Sequence, residues 1–358
     1  METFNVLGMM SGTSLDGVDL VFVEFQKSSN SYDFKVVAAE TYSFSKDWES
    51  RLRNAIHLNA LDFSILDVEL GRYFGNLVNV FLIEKGIDKE NVDFVSSHGQ
   101  TIFHQPEKGM TKQIGNGPQG AAVSGLKWIC DFRTMDVAHG GNGAPLVPFG
   151  DDALYSDLAD VFLNLGGFSN LSFKKDENWH AFDIGPCNLA LNKYANILNE
   201  NISFDFNGEL GRKGKVDIVL LESLNNLSFY SLKGPKSLGV EWLNDVFFNE
   251  ISKHNVSALD ILATVYHHIG FVIANEIIKS NLNKVYVTGG GALNSFLIEL
   301  IEHYAELKLI LPDMKIIQFK EAIIFAFLGL KKVQGEVNIM SSVTGAYKDT
   351  SGGVIYLP

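Results

Sequence analysis

The sequence predicts an α/β protein made of two related domains, and three observations support this prediction. A chain of 358 residues is long for a single hydrophobic core. A strand, a turn rich in glycine and polar residues and a second strand occur at residues 4–25 and again at 161–173, an internal repeat that favours two similar domains. A β-branched strand, a run of glycines and a helical stretch follow one another at residues 284–301. We expect the two domains to face each other across a cleft that holds the functional site.

The composition excludes several classes of protein. Hydrophobic residues make up 46% and charged residues 20% of the chain, as in globular proteins. The net charge of −13 argues against a nucleic-acid or anionic-membrane surface. Cys130 and Cys187 do not have the spacing of a disulfide framework or a metal cluster. The N-terminus lacks signal-peptide features and no long uncharged apolar run occurs, so we expect a cytoplasmic protein.

The first turn, between apolar residues 4–10 and the alternating run 18–25, suits anion binding. Gly12 and Gly17 allow the backbone to approach an anion closely, and the hydroxyl residues between them add hydrogen-bond donors. Asp16 and Asp19 offer carboxylates for a magnesium ion. Taken alone, the stretch is equally consistent with a phosphate grip and with an ordinary polar hairpin turn.

A third strand is predicted at residues 34–39, a helical core segment at 48–85 and a further strand near 92–102. The polar end of that last strand carries His98, Gln100 and Thr101, which can hydrogen-bond a polyol. Open α/β sheets bind ligands at such strand ends. A purely structural role for the histidine is the alternative.

Residues 130–148 form a predicted loop that is dense in glycine and proline but carries a charged triplet, Asp131 to Arg133. Arg133 can present its planar guanidinium to a carboxylate. A structural salt bridge with Asp131 is the alternative. We favour ligand contact because a loop this rich in glycine seldom needs such a charge for packing.

The second unit contains the candidate catalytic base. A strand is predicted to end at Asp183, before Gly185 and Pro186 break it and a helix begins near Asn188. A carboxylate at that strand end is placed to accept a proton from a nucleophile. Capping of the following helix is the alternative role.

The rest of the chain supplies a predicted nucleotide element. Residues 260–279 are predicted to form a core helix with His267 and His268 on its flank. After the strand at 284–288 come three glycines and a helix from Asn294, a pattern that serves an adenosine or its phosphates. It is neither a dinucleotide fingerprint nor a Walker sequence. Glu321 is predicted to open an apolar helix, as a cap or as a ligand contact, and residues 352–356 form a last strand.

Taken in this order, the motifs resemble those of the anhydro-N-acetylmuramic acid kinases over nearly the whole chain. The matching segments are 10–19, 97–101, 131–133, 142–148, 164–167, 182–186, 289–292 with Asn294, and 342–346. The first of these and the Gly-Ala-Pro-Leu-Val-Pro sequence at 143–148 are highly specific, whereas the glycine triplet alone would not be.

The resemblance implies a fold and an activity. The fold would be that of actin, the 70-kDa heat-shock proteins and sugar kinases, with two RNase H-like domains facing each other across a nucleotide cleft. The enzyme would use ATP and Mg²⁺ to open the 1,6-anhydro bridge of a cell-wall amino sugar with water and to phosphorylate O6. The product, N-acetylmuramate 6-phosphate, belongs to peptidoglycan recycling. A homodimer is also implied.

The resemblance also implies roles for individual residues. Asp183 would be the base that deprotonates the attacking water, and Asp16 and Asp19 would hold the magnesium. The residues expected to contact the sugar are His98, Gln100, Thr101, Arg133 and Glu321. The residues expected to contact ATP are Gly12, Thr13, Ser14, Leu15, Asp16, Gly17, Val18, Asp19, Gly166, Gly167, Gly289, Gly290, Gly291 and Asn294.

The motifs define the boundaries of the two domains and the identity of the sugar less directly. We predict an N-terminal phosphate- and sugar-binding lobe at residues 1–135, with the tail 336–358 packed on it, and a nucleotide-binding lobe at 136–335. The chain departs from the family pattern at Val240, His267, Gln105 and Cys187. These departures leave two alternatives open: a kinase of another amino sugar, and a catalytically silent ATP-gated binding protein of the same fold.

Overall fold

The computed structural model describes residues 2–29, 31–175, 178–232 and 236–358. The chain forms two compact units, residues 1–156 with 319–358 and residues 157–318. The sequence placed the limits at 135/136 and 335/336, whereas these units divide at 156/157 and 318/319. The first unit extends to 156 because its last helix before the division packs on its third strand, where the rings of Tyr155 and Phe34 meet edge to face at 5.5 Å. The functions assigned to the two lobes stay predictions.

The first unit contains most of the strands. They are β1 (Glu2–Ser11), β2 (Gly17–Lys27), β3 (Tyr32–Ser43), β4 (Phe94–Gln105), β5 (Met110–Ile114), β6 (Trp128–Cys130) and, from the C-terminus, β11 (Val354–Tyr356). Its helices are α1 (Lys46–Arg53), α2 (Ala60–Lys85), α3 (Gly117–Ser124), α4 (Thr134–Ala138), α5 (Val147–Tyr155), α12 (Met314–Val333) and α13 (Ser341–Thr344). Helix α12 begins before the division between the units and continues into the first.

The sheet of the first unit runs in the order β11-β6-β4-β1-β2-β3, and β5 pairs with β4. β1, β2 and β3 form an antiparallel meander, while β4 pairs parallel to β1. The predicted helical residues Leu66, Leu70, Phe74 and Leu77 all lie in the core. The C-terminal strand β11 pairs antiparallel with β6, so the tail belongs to this unit.

A helix and a loop are among the predicted elements that differ from the structure. The helical segment 48–85 is two helices, because Asn59 caps the start of α2 by accepting a hydrogen bond from the amide of Asp62. The predicted loop 130–148 contains α4 and the start of α5. Short helical turns are compatible with a glycine-rich composition when their ends are held by neighbouring groups.

The second unit has the strands β7 (Val161–Leu165), β8 (Phe168–Lys175), β9 (Asn178–Pro186) and β10 (Val285–Thr288). Its helices are α6 (Asn188–Leu198), α7 (Ile218–Asn225), α8 (Val240–Trp242), a π-helical turn (Leu243–Phe248), α9 (Asn249–Ser252), α10 (Ala258–Ser280) and α11 (Ser295–Ala305). The short turns of 3₁₀-helix in the two units are Ala55–His57, Lys89–Asn91, Pro106–Lys108, Phe206–Gly208, Gly211–Lys213, Ser228–Ser231 and Gly290–Leu293.

The second sheet confirms the predicted internal repeat. Its order is β10-β7-β8-β9, an antiparallel meander with a parallel strand beside its first member. The first unit has the same arrangement in β4-β1-β2-β3. In both units the first strand therefore pairs with a parallel neighbour that enters from a distant part of the chain.

Helix α10 forms the centre of the second core. It is long and apolar enough to span a membrane by composition, but 72% of its most apolar stretch is buried inside the protein, as in an ordinary core helix. His268 is completely buried here rather than on the flank predicted for it. Its ring bonds the Tyr230 hydroxyl and the side-chain oxygen of Asn225, which makes burial of the imidazole acceptable.

Candidate active site

The turn between β1 and β2 is a tight polar loop. Leu15 has a left-handed backbone with φ of 60°, and its amide donates to the Gly12 carbonyl at 3.3 Å. A Cβ atom added to Gly12 would meet only the Ser14 hydroxyl at 3.5 Å, whereas one on Gly17 would lie 2.6 Å from the Tyr42 carbonyl of β3. Gly17 is therefore required by packing, and Gly12 leaves an open backbone surface.

Gln100 is a structural support of this turn. Its side-chain oxygen accepts a hydrogen bond from the Ser11 hydroxyl at 2.5 Å, and its amide nitrogen donates to the Gly12 carbonyl at 3.1 Å. Thr101 accepts a hydrogen bond from Gln113 at 3.3 Å. These side chains are engaged within the protein, and contact of either with a sugar stays a prediction.

Three carboxylates lie close enough to influence one another in the first unit. Asp16 accepts a hydrogen bond from Ser14, and Asp19 accepts one from Thr41 at 2.6 Å. Burial raises the pKa of Asp19 to about 6, and repulsion by Asp16 and Glu321 adds to the effect. Such a clustering of negative charge would be relieved by a divalent cation.

The donor set suits magnesium, which prefers hard oxygen ligands and keeps several waters. Among the described residues, no group of three or more His, Cys, Asp or Glu side chains forms a complete metal site. Asp16 and Asp19 alone would make an incomplete shell, and their binding of magnesium stays a prediction.

Glu321 does not open a helix, contrary to the prediction, because α12 begins at Met314. It lies within the helix, which packs directly on β1: a Cβ on Gly8 would lie 2.1 Å from the Ala322 carbonyl. Solvent reaches the Glu321 side chain, yet the protein around it raises its pKa by desolvation, an effect that Arg133 and Lys320 oppose. Glu321 is thus a carboxylate close to cationic groups, rather than a cap.

His98 is presented by a β-bulge. β4 has two residues, His98 and Gly99, opposite the single residue Met10 of β1, and Gly99 adopts a φ of 73°. The histidine lies within β4 rather than at its end, because the strand continues to Gln105. The bulge turns the imidazole toward α12, where its ring meets Phe325 edge to face at 4.7 Å.

The hydrogen bonds of His98 define its protonation state. Nδ1 donates to the Gly99 carbonyl at 2.8 Å, and Nε2 accepts from Nη2 of Arg133 at 2.9 Å. Burial and the neighbouring guanidinium lower the pKa of His98 to about 3. The ring is therefore neutral at physiological pH, with both nitrogens engaged by the protein.

Arg133 is only partly used by the protein. Nε and Nη2 donate to His98, and Nη1 donates to the Gly143 carbonyl at 2.6 Å. Since a guanidinium carries five N–H groups, two of them have no hydrogen-bond partner among the residues that the structure describes, and these two remain for a ligand. The alternative of a salt bridge with Asp131 is wrong, because the Asp131 carboxylate accepts from Thr134 instead. Burial lowers the pKa of Arg133 to about 10, and Glu321 and Asp136 oppose this.

Asp136 and Thr344 hold the loop that carries the Gly143 carbonyl, and no role was predicted for either residue. The Asp136 side chain is fully buried, accepting hydrogen bonds from the Gly143 amide at 2.7 Å and the Thr344 hydroxyl at 2.7 Å. The Asn142 amide also donates to the Thr344 carbonyl. The sequence offered one indication of the contact between Thr344 and Asp136, namely that Thr344 lies in the matching segment 342–346.

In the second unit, the parallel strands β7 and β10 both end in glycine turns. A Cβ on Gly289 (φ of 84°) would lie 2.5 Å from the Asn164 side chain, and one on Gly291 would lie 2.7 Å from that of Leu165. A Cβ on Gly290 would make only an ordinary contact, at 3.6 Å from the side-chain nitrogen of Asn188. The outer glycines allow the two turns to pack together, and Gly290 exposes backbone for a ligand.

The other predicted nucleotide residues support these turns. Gly166 and Gly167 accept hydrogen bonds from the first amides of α6, at Asn188 and Leu189. Asn294 caps α11 by accepting from the Leu297 amide at 3.2 Å, and its side-chain nitrogen donates to the Tyr266 hydroxyl. The side chain of Asn294 is therefore used inside the unit, and its contact with a nucleotide stays a prediction.

Asp183 also lies beside a β-bulge. Ser169 pairs with Gly185 and Asn170 with Asp183, so Ile184 is the extra residue of β9. The strand does not end at Asp183, as predicted, but continues to Pro186. The bulge changes the side of the sheet on which successive side chains lie, which sets the direction of the Asp183 carboxylate.

The environment of Asp183 suits a base. Its Oδ2 accepts a hydrogen bond from the Leu238 amide at 2.8 Å, while Oδ1 has no hydrogen bond from a described residue. Burial raises the pKa of Asp183, and the Leu238 amide opposes this. The capping alternative is wrong, because α6 begins after Cys187 without a side-chain cap.

The positions that depart from the family pattern have partners of their own. His267 bonds the Tyr304 hydroxyl at 2.8 Å, and Gln105 accepts from Lys108. Cys187 is buried with φ of −134°, outside the left-handed region that favours glycine. Val240 is exposed at the start of α8.

Comparison with known proteins gives concordant results. The sequence model of the family described as anhydro-N-acetylmuramic acid kinase matches residues 4–358. The anhydro-N-acetylmuramic acid kinase of Bacillus cereus (strain Q1) is 32% identical, with 99% of each chain covered. That of Sulfurovum sp. (strain NBC37-1) is 31% identical over the whole of both chains.

Among solved structures, the activator of 2-hydroxyisocaproyl-CoA dehydratase from Clostridium difficile with bound ADPNP aligns with a TM-score of 0.47 and 14% identity, covering 93% of this chain and 98% of that one. A ROK hexokinase from Thermus thermophilus aligns with a TM-score of 0.38 and 11% identity, covering 92% and 100%.

Proposed function

The chain belongs to the anhydro-N-acetylmuramic acid kinase family, an ATP-dependent kinase family, and we propose on this premise that its own substrate is 1,6-anhydro-N-acetylmuramic acid. The reaction adds water to the anhydro sugar and transfers the γ-phosphoryl group of ATP to O6. The products are N-acetylmuramate 6-phosphate and ADP, in peptidoglycan recycling. The observation that carries this proposal is Asp183, a half-buried carboxylate with one oxygen held and the other open.

Asp183 acts as the general base. Its free Oδ1 accepts a proton from a water molecule, whose oxygen attacks the anomeric carbon. The bond between that carbon and the bridging oxygen breaks, and the bridging oxygen stays on C6. That oxygen attacks the γ-phosphorus, ADP leaves, and Asp183 returns its proton to solvent. One base thus serves both bond changes, and burial of the carboxylate strengthens it as a proton acceptor.

The first unit binds the sugar. N-acetylmuramic acid carries a lactyl carboxylate, and the two unused N–H groups of Arg133 match it as a planar donor pair. Glu321 accepts a hydrogen bond from a sugar hydroxyl. His98 orients Arg133 rather than contacting the sugar through its ring nitrogens, because both are already bonded.

The nucleotide is held by backbone-rich segments. The open backbone at Gly12 and the hydroxyls of Thr13 and Ser14 bind phosphate oxygens, and Gly290 lets the nucleotide approach β10. Magnesium bound by Asp16 and Asp19, directly or through water, supplies charge neutralisation to the phosphates. We place the enzyme in the cytoplasm, where ATP is available. The homodimer implied by the sequence stays a prediction.

The test is a product assay in water enriched in ¹⁸O, with ATP, magnesium and 1,6-anhydro-N-acetylmuramic acid. We expect ADP and a phosphosugar that carries one ¹⁸O at the anomeric hydroxyl and none in the phosphate. Label in the phosphate would contradict the proposed route of the bridging oxygen. Turnover with unbridged amino sugars alone would support a different kinase, and ATP binding without turnover of any sugar would support the silent alternative.

A further inference from the structure

A short segment of the second unit is attached to the edge strand beside Asp183. β9 is the last strand of its sheet, so no strand formed by the described residues pairs with the backbone groups on its outer side. The Asp183 amide donates to the Lys236 carbonyl at 2.9 Å, and the Leu238 amide donates to Oδ2 of Asp183 at 2.8 Å. Residues 236–238, here named the strap, therefore hold both the backbone and the side chain of Asp183.

The strap is anchored by the side chain of Lys236. This side chain is only 6% exposed, and its ammonium lies 4.8 Å from the ring centre of Phe229 and 5.8 Å from that of Phe182. Its carboxylate neighbour is Glu276 of α10, at 3.8 Å and itself largely buried. Phe182 directly precedes Asp183, so the ammonium contacts the same strand that carries the base.

Burial of a lysine is costly unless its charge is compensated. Two aromatic faces and one carboxylate provide that compensation here. The second cation near Glu276 is Lys279, which lies at 2.9 Å but is 62% exposed and contacts solvent. The two lysines thus share one carboxylate. Of the two, Lys236 is the one whose backbone carbonyl accepts a hydrogen bond from the Asp183 amide.

We propose that Lys236 is a positioning residue for the catalytic base: its buried ammonium fixes the strap, and the strap holds the Asp183 carboxylate through the Leu238 amide. This inference rests on the proposed function, in which Asp183 deprotonates the attacking water. It assigns a catalytic consequence to the aromatic and acidic groups behind the strap, Phe182, Phe229 and Glu276.

The direction of the pH effect follows from the contacts. The Leu238 amide donates to the charged form of Asp183 and so lowers its pKa, against the effect of burial. In the described part of the chain, the charged groups that face the strap are Lys236 itself, Glu276 and Lys279. If the strap detaches, the Asp183 carboxylate loses that hydrogen bond, its pKa rises, and the acid limb of the rate profile moves to higher pH.

The experiment compares Lys236→Met with Lys236→Arg and Lys279→Met in the whole protein, by steady-state kinetics across pH. Methionine keeps the apolar stem and removes the charge, so we expect kcat to fall about 10- to 100-fold, with the acid limb shifted upward and the KM for ATP unchanged. Arginine retains charge and aromatic contact and should restore most of kcat. Lys279→Met, which removes the other cation at Glu276, should match the wild type.

The outcomes separate the inference from the function on which it rests. If Asp183→Asn is inactive while Lys236→Met keeps the wild-type kcat and acid limb, the positioning role is wrong and the proposed function stands. If Asp183→Asn keeps near-normal turnover, the base itself is misassigned and the inference falls with it. Equal loss in Lys236→Met and Lys236→Arg, without a change in the acid limb, would also overturn the positioning role.

Discussion

His98 should make the protein sensitive to mild acid. The folded protein holds this imidazole neutral, with a pKa lowered to about 3 from the ordinary 6.5. The unfolded chain takes up a proton at about the ordinary value. Between these two values the unfolded state binds more protons than the folded state, so the free energy of unfolding falls as pH is lowered through this window.

The size of the effect follows from the two pKa values. Lowering the pH from about 7.5 to about 5 favours the unfolded state by about 2 kcal/mol for this one group, since the linkage accumulates about 1.4 kcal/mol per unit below pH 6.5. His268, fully buried against Tyr230 and Asn225, has its pKa lowered to about 3 by desolvation and contributes a similar amount. The two together account for about 4 kcal/mol.

The assay is urea denaturation of the wild type, His98→Gln and His268→Gln at both pH values. Glutamine can donate one hydrogen bond and accept another as the neutral imidazole does, but it does not titrate. Each variant should therefore lose about 2 kcal/mol less than the wild type on acidification, whatever its stability at neutral pH. The exposed His57→Gln serves as the matched control and should follow the wild type. Parallel pH dependences for all four proteins would refute the neutral buried imidazoles.

Three further substitutions test the site. Asp183→Asn keeps an oxygen for the Leu238 amide but removes the proton acceptor. The kcat measured by ADP release should therefore fall about 10²- to 10⁴-fold, while the ATP affinity measured by a binding titration stays unchanged. A decrease in kcat of less than about threefold would contradict this role. Thr344→Val leaves the buried Asp136 carboxylate without its hydroxyl donor and should cost about 1–3 kcal/mol in urea denaturation, with Thr344→Ser restoring most of it. Asp19→Asn should raise the magnesium concentration needed for half-maximal rate by about tenfold or more, and an unchanged requirement would remove Asp19 from the metal shell.

The parts of the fold that depend on local pattern could be predicted from the sequence. Both strand–turn–strand units form as expected, and α6 and α11 begin at the positions predicted near Asn188 and Asn294. Apolar periodicity and turn residues act over a few positions, so they are visible in the chain itself. The core role of α2 and α10 follows in the same way from their helical spacing.

The features that depend on a distant partner could not be predicted. Gly185 and Pro186 suggested a strand end at Asp183, but β9 is an edge strand and Pro186 is its last residue, a position at which proline is tolerated. The bulge at His98 exists only relative to the register of β1. Glu321 was predicted to start a helix because the residues before it are a mixture of apolar and polar types, so the first turns of α12 were not recognised as helical. The partner of Arg133 is His98, which lies 35 residues earlier in the chain.

Most polar side chains at the candidate site form hydrogen bonds within the protein, and this limits the groups that are free to bind a substrate. His98 and Gln100 have their side-chain nitrogen and oxygen atoms occupied within the first unit. Within the first unit, this leaves the two unused N–H groups of Arg133 and the Glu321 carboxylate as the groups that our proposal assigns to the sugar. A carboxylate on the proposed sugar would match the planar pair of free N–H groups on Arg133.

The positions that depart from the family pattern do not alter this set of free groups. His267 bonds Tyr304, Gln105 bonds Lys108, and Val240 follows the strap without taking part in its contact with Asp183. An amino sugar without a carboxylate would leave the two unused N–H groups of Arg133 without an anionic ligand. The free N–H groups of Arg133 are therefore consistent with the proposed acidic sugar and match a neutral amino sugar less well.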